Sequence, residues 1–235
     1  MINLLTNGCS FTWGGSLLDS TGSKFRASKD SLAETQEEST ERLSLVWPHH
    51  LGKLLKADSV VNLSYGCGSN QRIFRSTVDW VNDQTPEVLK NTSVVIQLTE
   101  PSRFEFYYGN EDRYENDKWA ACKTHCVVNH PDAGELTDYA NNRISTYTEI
   151  EGFYSTLSYL LSFEKIFESV GISKYYFWFM RGGDGDFISQ WLENKNIQVN
   201  SNLLTIDEFD TISHEDGHPN TEGHKQIAHM ISEKM

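Results

Sequence analysis

Residues 92–99 read Thr92-Ser93-Val94-Val95-Ile96-Gln97-Leu98-Thr99. The centre is apolar almost without a break. Apolar and polar residues alternate in a strand with one wet face, and a continuous apolar run marks a strand covered on both faces. Such a strand belongs inside a parallel sheet flanked by helices. Similar runs stand at 174–180 (KYYFWFM), 59–63 and 2–6, and 198–206 has room for a fifth. Helical patterns lie between them. Leu43, Val46, Trp47, Leu51, Leu54 and Leu55 recur at helical spacing within 43–56, with Pro48 tolerable near a helix start. Ser69 or Asn70 can cap a helix through Ile73, Val78 and Val81. Residues 150–170 carry Phe153, Leu157, Leu160, Leu161, Phe163 and Phe167 on one stripe, and Gly171 ends it. A short helix at 186–194 and a final one at 221–234 complete the order. Strand and helix alternate about five times. The expected class is α/β: a three-layer α/β/α sandwich around a mostly parallel sheet of roughly five strands.

Composition narrows the function. The chain has 235 residues, with 20 Lys plus Arg against 33 Asp plus Glu, a net charge of −13. That excludes a dominant electrostatic grip on nucleic acid or an anionic membrane surface. Hydrophobic residues make up 38%, enough for a packed core. No apolar run reaches the ~18 residues of a membrane span. The first ten residues, MINLLTNGCS, have no basic segment before their apolar run, so they read as a strand rather than a secretory signal. A cytoplasmic location is expected. Cys9, Cys67, Cys122 and Cys126 are too few for a disulfide scaffold, and free thiols in a reducing compartment are expected. No Pro/Gly/Ser linker divides the chain. One domain over 1–235 is expected, with insertions at about 16–41 and 100–148.

In such sheets ligands sit at the carboxyl ends of the strands, which directs attention to the segments after strands one, two and three. After strand one comes Asn7-Gly8-Cys9-Ser10-Phe11-Thr12. A serine after a strand and a glycine turn can project its hydroxyl from the sheet edge. The amides opening the next helix can hold an oxyanion. The plainer reading is a Ser10 helix cap with Cys9 in the core. Near the other end stands Glu215-Asp216-Gly217-His218-Pro219-Asn220. An acid within one turn of a histidine can orient the imidazole and stabilise its cation. The plainer reading is an acidic, solvated turn. Cys122, Cys126 and His130, with His125 between, follow no standard zinc spacing. His214, His218, His224 and His229 crowd the C-terminus, but their spacing does not favour a shared metal. Arg181-Gly182-Gly183-Asp184-Gly185-Asp186 lacks the Lys-Ser/Thr of a phosphate loop, and its acids repel phosphate.

Taken together, the two end motifs resemble the blocks of the SGNH hydrolases, the GDSL-type esterases and lipases. Gly8-Cys9-Ser10-Phe11-Thr12 is similar to the first block, with Cys9 in place of Asp. Residues 215–219, with Gly223-His224, are similar to the last. The resemblance implies that Ser10 is the nucleophile and His218 the base. The acid is Glu215, three residues before the histidine, or Asp216, two before, a spacing that some acetyl-transferring relatives use. Residues 62–70 (NLSYGCGSN) are similar to the second block, where a glycine amide donates to the oxyanion. That position falls on Cys67, with Gly68 beside it. The third block departs most: its asparagine is replaced by Thr99. Losing one oxyanion donor typically costs ~2.7–4 kcal/mol of transition-state stabilisation. Thr99 and Asn70 are candidate helpers, and Arg103 a candidate cation for an acyl or anionic substrate. The resemblance implies acyl ester cleavage or transfer on a small-molecule or glycan ester, with no cofactor and no metal. Its alternative is a catalytically weak binding or structural protein on the same fold. The Gly-Cys-Ser-Phe-Thr wording is similar to phage-encoded members, where virion association is expected.

Overall fold

A computed structural model describes residues 2–17, 36–107, 119–123, 126–127, 138, 141–143, 145–180, 190, 202–204, 206 and 208–235. The elements run β1 (Asn3–Asn7), α1 (Ser10–Trp13), α2 (Gln36–Leu45), α3 (Trp47–Leu54), β2 (Ser59–Asn62), α4 (Asn70–Asn82), α5 (Pro86–Lys90), β3 (Thr92–Leu98), β4 (Phe104–Tyr107), β5 (Trp119–Lys123), β6 (Cys126–Val127), α6 (Glu149–Val170), β7 (Lys174–Phe179), β8 (Asn202–Leu204) and α7 (Thr221–Ser232). Five strands form one sheet in the order β2-β1-β3-β7-β8. Every neighbouring pair in it is parallel.

All seven residues of β3 are buried, as its unbroken apolar run requires. Its side chains divide between two cores. Val94, Ile96 and Leu98 join Leu5, Phe177, Ile73, Leu160, Phe163 and Phe167 under α4, α5 and α6. Val95 joins Leu4, Trp178, Trp47, Leu51, Ile227 and Ile231 under α3 and α7. Helices therefore cover both faces, and the α/β/α sandwich follows. Phe163 stacks on Phe167 with ring centroids 5.4 Å apart and tilts against Phe177 at 5.9 Å. Strand order reverses around β1, which pairs β2 on one side and β3 on the other. Crevices at the carboxyl ends of strands open where the order reverses, and Ser10 follows β1 by three residues.

Two expectations change. The 43–56 helix is two helices, because Pro48 lacks an N–H and can sit only in a first turn. Val46 takes an extended conformation as N-cap of α3, and α2 ends just before it. Residues 36–41, expected within a surface insertion, thus form the start of α2. Part of the 100–148 insertion is regular rather than irregular. The alternating Phe104-Glu105-Phe106-Tyr107 pairs antiparallel with β5, and β5 with β6. Glu105 anchors this small sheet through a bidentate pair with Arg75 of α4, at 2.9 and 3.1 Å. Residues 18–35, the 181–186 turn and the expected 186–194 helix, apart from residue 190, lie outside the described residues.

Phe163 touches three aromatic neighbours. Truncating Phe163→Ala leaves a cavity under α6, and such changes cost about 3–5 kcal/mol. Urea unfolding is expected to show a lower midpoint at an unchanged slope.

Candidate active site

Ser10 opens α1, directly after its N-cap Cys9. The turn that carries it is held from three directions. Asn7 Oδ1 accepts the Gly8 amide at 2.8 Å, while its Nδ2 reaches Ile73 O, Ser76 Oγ and Thr77 Oγ1 on α4. Gln97 Oε1 of β3 accepts Thr12 Oγ1–H at 2.6 Å and the Cys9 amide at 3.2 Å. Asn62 Nδ2 at the end of β2 donates to Thr12 O at 3.3 Å. Gly8 is compulsory here, since a Cβ would stand 2.6 Å from Gln97 Oε1. Gly14 closes α1 in the left-handed conformation, φ 93°.

His218 comes from the loop before α7. Asn220 caps that helix by accepting the Gly223 amide at 2.9 Å. Ile212 N donates to His218 O, and Thr211 bridges Pro219, so the loop returns on itself. Asp216 Oδ1 accepts both the His218 amide, at 3.2 Å, and His218 Nδ1, at 2.6 Å. This short-range turn explains why the two-residue spacing reaches the ring: an aspartate side chain bonds the backbone two residues on. Glu215, the alternative acid, is exposed, and among the described residues no hydrogen bond joins it to the imidazole. A carboxylate only accepts, so Nδ1 carries the proton and Nε2 presents a lone pair. Ser10 Oγ lies 2.8 Å from that Nε2. Phe11 packs on the ring at 4.9 Å.

Partial burial works against charge on Asp216. Hydrogen bonds from the His218 ring, the Ser16 hydroxyl and the His218 amide, together with the charge of His218, outweigh it and hold the carboxyl at about 2. Asp216 is thus ionised across the neutral range.

The turn after α1 supplies two residues that sequence reasoning missed. Gly15 lies under the site: a Cβ there would stand 2.9 Å from Ser10 Cβ and 3.1 Å from His218 Nε2. Ser16, with φ 63°, hydrogen-bonds Asp216. Gly14-Gly15-Ser16, directly behind the nucleophile block, was the available signal. The third missed residue is Gln97, a lone polar side chain inside an apolar strand.

The remaining candidates divide. Cys67 adopts φ 60°, the left-handed region that usually takes glycine, and its amide meets no acceptor among the described residues. Gly68 N donates to Tyr65 O at 3.0 Å, so that amide is occupied. Asn70 is also occupied: Oδ1 accepts the Thr99 amide at 2.8 Å, and Nδ2 reaches Thr99 O and Thr156 Oγ1. Thr99 turns its hydroxyl toward Met180 Sδ at 3.8 Å, not toward Ser10. Arg103 is half-buried, with Nε 3.3 Å from Glu100 Oε2. Cys9 and Cys67 are free thiols. The side chains of Cys122 and Cys126, with His125 and His130, lie outside the described residues. Among the described residues no three His, Cys, Asp or Glu side chains cluster as a metal site. No described helix is long and apolar enough to cross a membrane.

The parallel sheet with helices on both faces is an α/β fold, with Ser10, His218 and Asp216 in one hydrogen-bonded chain. Among solved structures, the chain is similar to one described as a GDSL-like lipase from Bacteroides uniformis. That match has 11% identity and a TM-score of 0.51, over 100% of this chain and 95% of the other. It is also similar to a carbohydrate esterase whose active site is described as having divergent catalytic and non-catalytic binding functions. There identity is 13% and the TM-score 0.50, over 99% of this chain and 67% of the other. At these identities the likeness is one of fold. No curated protein matches the sequence. Residues 29–148 match the model of a family of unknown function, DUF6071, and the chain belongs to that family.

Two outcomes follow from this geometry. Gly15→Ala is expected to part Ser10 and His218, and misplacement by about 1 Å can cost about 10²-fold in rate. Any reaction at the Ser10 hydroxyl should slow by that order while the unfolding midpoint moves little. The second concerns acid. His224 is fully buried on α7, where Nδ1 accepts the Trp47 amide at 3.2 Å. Burial first, then the charges of His50 and His218, hold its pKa at about 3. The unfolded chain binds that proton near 6.5, so stability declines as pH falls from 6.5 toward 3. The Asp216 contribution is present above 3.8 and disappears as pH falls toward 2. Urea titrations across pH should show both phases. His224→Gln is expected to flatten the upper one and Asp216→Asn the lower.

Proposed function

We propose that the protein is a serine ester hydrolase or acyl transferase of the SGNH type. The observation that carries the reading is the continuous chain from Ser10 Oγ to His218 Nε2, 2.8 Å, and from His218 Nδ1 to Asp216 Oδ1, 2.6 Å. In this reading His218 takes the hydroxyl proton as Ser10 Oγ attacks an ester carbonyl. Asp216 stabilises the resulting imidazolium, which then protonates the departing alkoxide. Water, activated by the same imidazole, releases the acyl group from Ser10 and restores the serine. The amides of Ser10 and Cys67 are the proposed oxyanion donors. Ser10 is the first residue of its helix, where an amide has no intrahelical partner, and the Cys67 amide is uncommitted among the described residues. Neither Asn70 nor Thr99 has a donor to spare, so the oxyanion rests on two amides. Activated esters, which demand less of those donors, suit such a site. The esterases and lipases among the structural neighbours support a small-molecule or carbohydrate ester as substrate.

A fluorophosphonate probe and 4-nitrophenyl acetate test the reading. Wild type is expected to be labelled at Ser10 and to hydrolyse the ester. Ser10→Ala should abolish both. His218→Ala and Asp216→Asn should each lower kcat about a hundredfold or more, whereas Glu215→Gln should change it less than about twofold. Equal rates for wild type and Ser10→Ala, with no labelling, would replace this reading by a binding role for the same fold.

A further inference from the structure

A pocket of about 70 Å³ lies between the start of α4, residues 101–104 and the first half of α6. Arg103, Arg143 and Glu151 are among its lining residues. Arg143 Nη2 is 2.6 Å from Glu151 Oε1, so those two charges offset one another. Arg103 is different. Its side chain is 8% exposed. Glu100 meets only the Nε edge, at 3.3 Å, longer than the ~2.7–2.9 Å of a strong charge-assisted bond. Nη2 faces the Met180 sulfur at 3.9 Å. Nη1 is buried and finds no acceptor among the described residues. A guanidinium carries five N–H donors, and the Nη1 pair stands idle in a place where unmade hydrogen bonds are costly. An oxyanion brought by a ligand would supply the missing acceptor.

Arg103, on the pocket wall, lies near the block that carries Ser10. Met180 Sδ is 3.5 Å from Cys9 Sγ, so one side chain separates Arg103 from the residue before Ser10. Asn70, on the pocket wall, holds the end of β3 through Thr99. The net charge of −13 makes the diffuse field of the molecule repel anions. An anionic ligand therefore needs a local cation largely covered from water, and the Arg103 side chain is one. About 10–15 Å³ holds one water, so this pocket has room for a carboxylate and a carbon or two. One incompletely engaged guanidinium matches a singly charged carboxylate better than a phosphate of charge about −1.5 to −2.

We infer that the pocket receives a carboxylate of the substrate on Arg103, so that the preferred substrates are esters carrying a carboxylate a few bonds from the ester group. The word ester rests on the hydrolase reading above, and the anion site does not. The test compares 4-nitrophenyl hemiglutarate with 4-nitrophenyl butyrate, and titrates glutarate and inorganic phosphate into Ser10→Ala by calorimetry. Wild type is expected to favour the charged ester in kcat/KM by about 10–100-fold, the range of a hydrogen bond to a charged group. Arg103→Gln should erase that ratio through KM, and Arg103→Lys should restore part of it. Glutarate should bind Ser10→Ala and lose binding when Arg103→Gln is added. Should Arg103→Gln not fold, glutarate is still expected to inhibit wild-type butyrate hydrolysis competitively and to raise Tm. Equal handling of both esters without glutarate binding overturns the site and leaves the hydrolase reading standing. Glutarate binding that survives Arg103→Gln, or phosphate binding in preference to glutarate, also overturns it. Arg103-dependent glutarate binding with neither ester hydrolysed supports the site and removes the hydrolase reading.

Discussion

Gln97 Oε1 accepts from the Thr12 hydroxyl and the Cys9 amide, in the interior, between a central strand and the turn that carries Ser10. Buried polar groups of this kind are expensive unless every member is satisfied, and when satisfied they specify one arrangement. Here the arrangement couples the sheet to the site. β3 cannot slide against β1 without moving the β1–α1 turn, and that turn cannot move without displacing Ser10. Gly8 belongs to the same constraint, because only a residue without Cβ admits the Gln97 carboxamide so close. Asn7 repeats the principle toward α4 and Asn62 toward β2. Three amide side chains thus fix one short turn against three elements.

The loop that carries His218 is secured by different means. Its contacts are local, with the Asp216 carboxylate closing on the residue two ahead and Asn220 capping the next helix. What ties it to Ser10 is the turn after α1, where Gly15 leaves space for the imidazole and Ser16 hydrogen-bonds Asp216. The segment of Ser10 therefore touches both His218 and Asp216, and the Asp216 carboxylate is held from both sides.

The sheet was legible because its signal is redundant. Residues 92–99 and 174–180 are apolar at nearly every position, and only a doubly covered strand needs that. Pairing order was not legible, since adjacency of β1 to both β2 and β3 depends on which helix packs on which face. Ser10 and His218 stood out because each sits in a short motif beside glycine or proline. The choice between Glu215 and Asp216 was open, because it depends on a turn two residues long whose geometry no spacing rule fixes. The contacts of Asn70 and Thr99 were not legible for a related reason. Their donors are spent on each other and on Thr156 and Met180, contacts made across 29 to 86 positions of chain. The α2–α3 division at Val46 was partly legible through Pro48. The β4–β6 sheet was obscured by the polar residues around its short strands.

The partners Ser10 and His218 are 208 positions apart. A ribosome adding about 5–20 residues per second needs roughly 10–40 s to cover that distance. Throughout that interval the serine is already in the emerging chain but has no imidazole beside it. Its hydroxyl then lacks the imidazole, because His218 and the carboxylate that orients it arrive together in the loop before α7. The same holds for a chain cut anywhere between the two if the pieces separate. The contact between Ser10 and His218 is therefore made in one late event, the docking of α7 and the loop before it onto the sheet. An incomplete chain presents to its surroundings a serine without its partners.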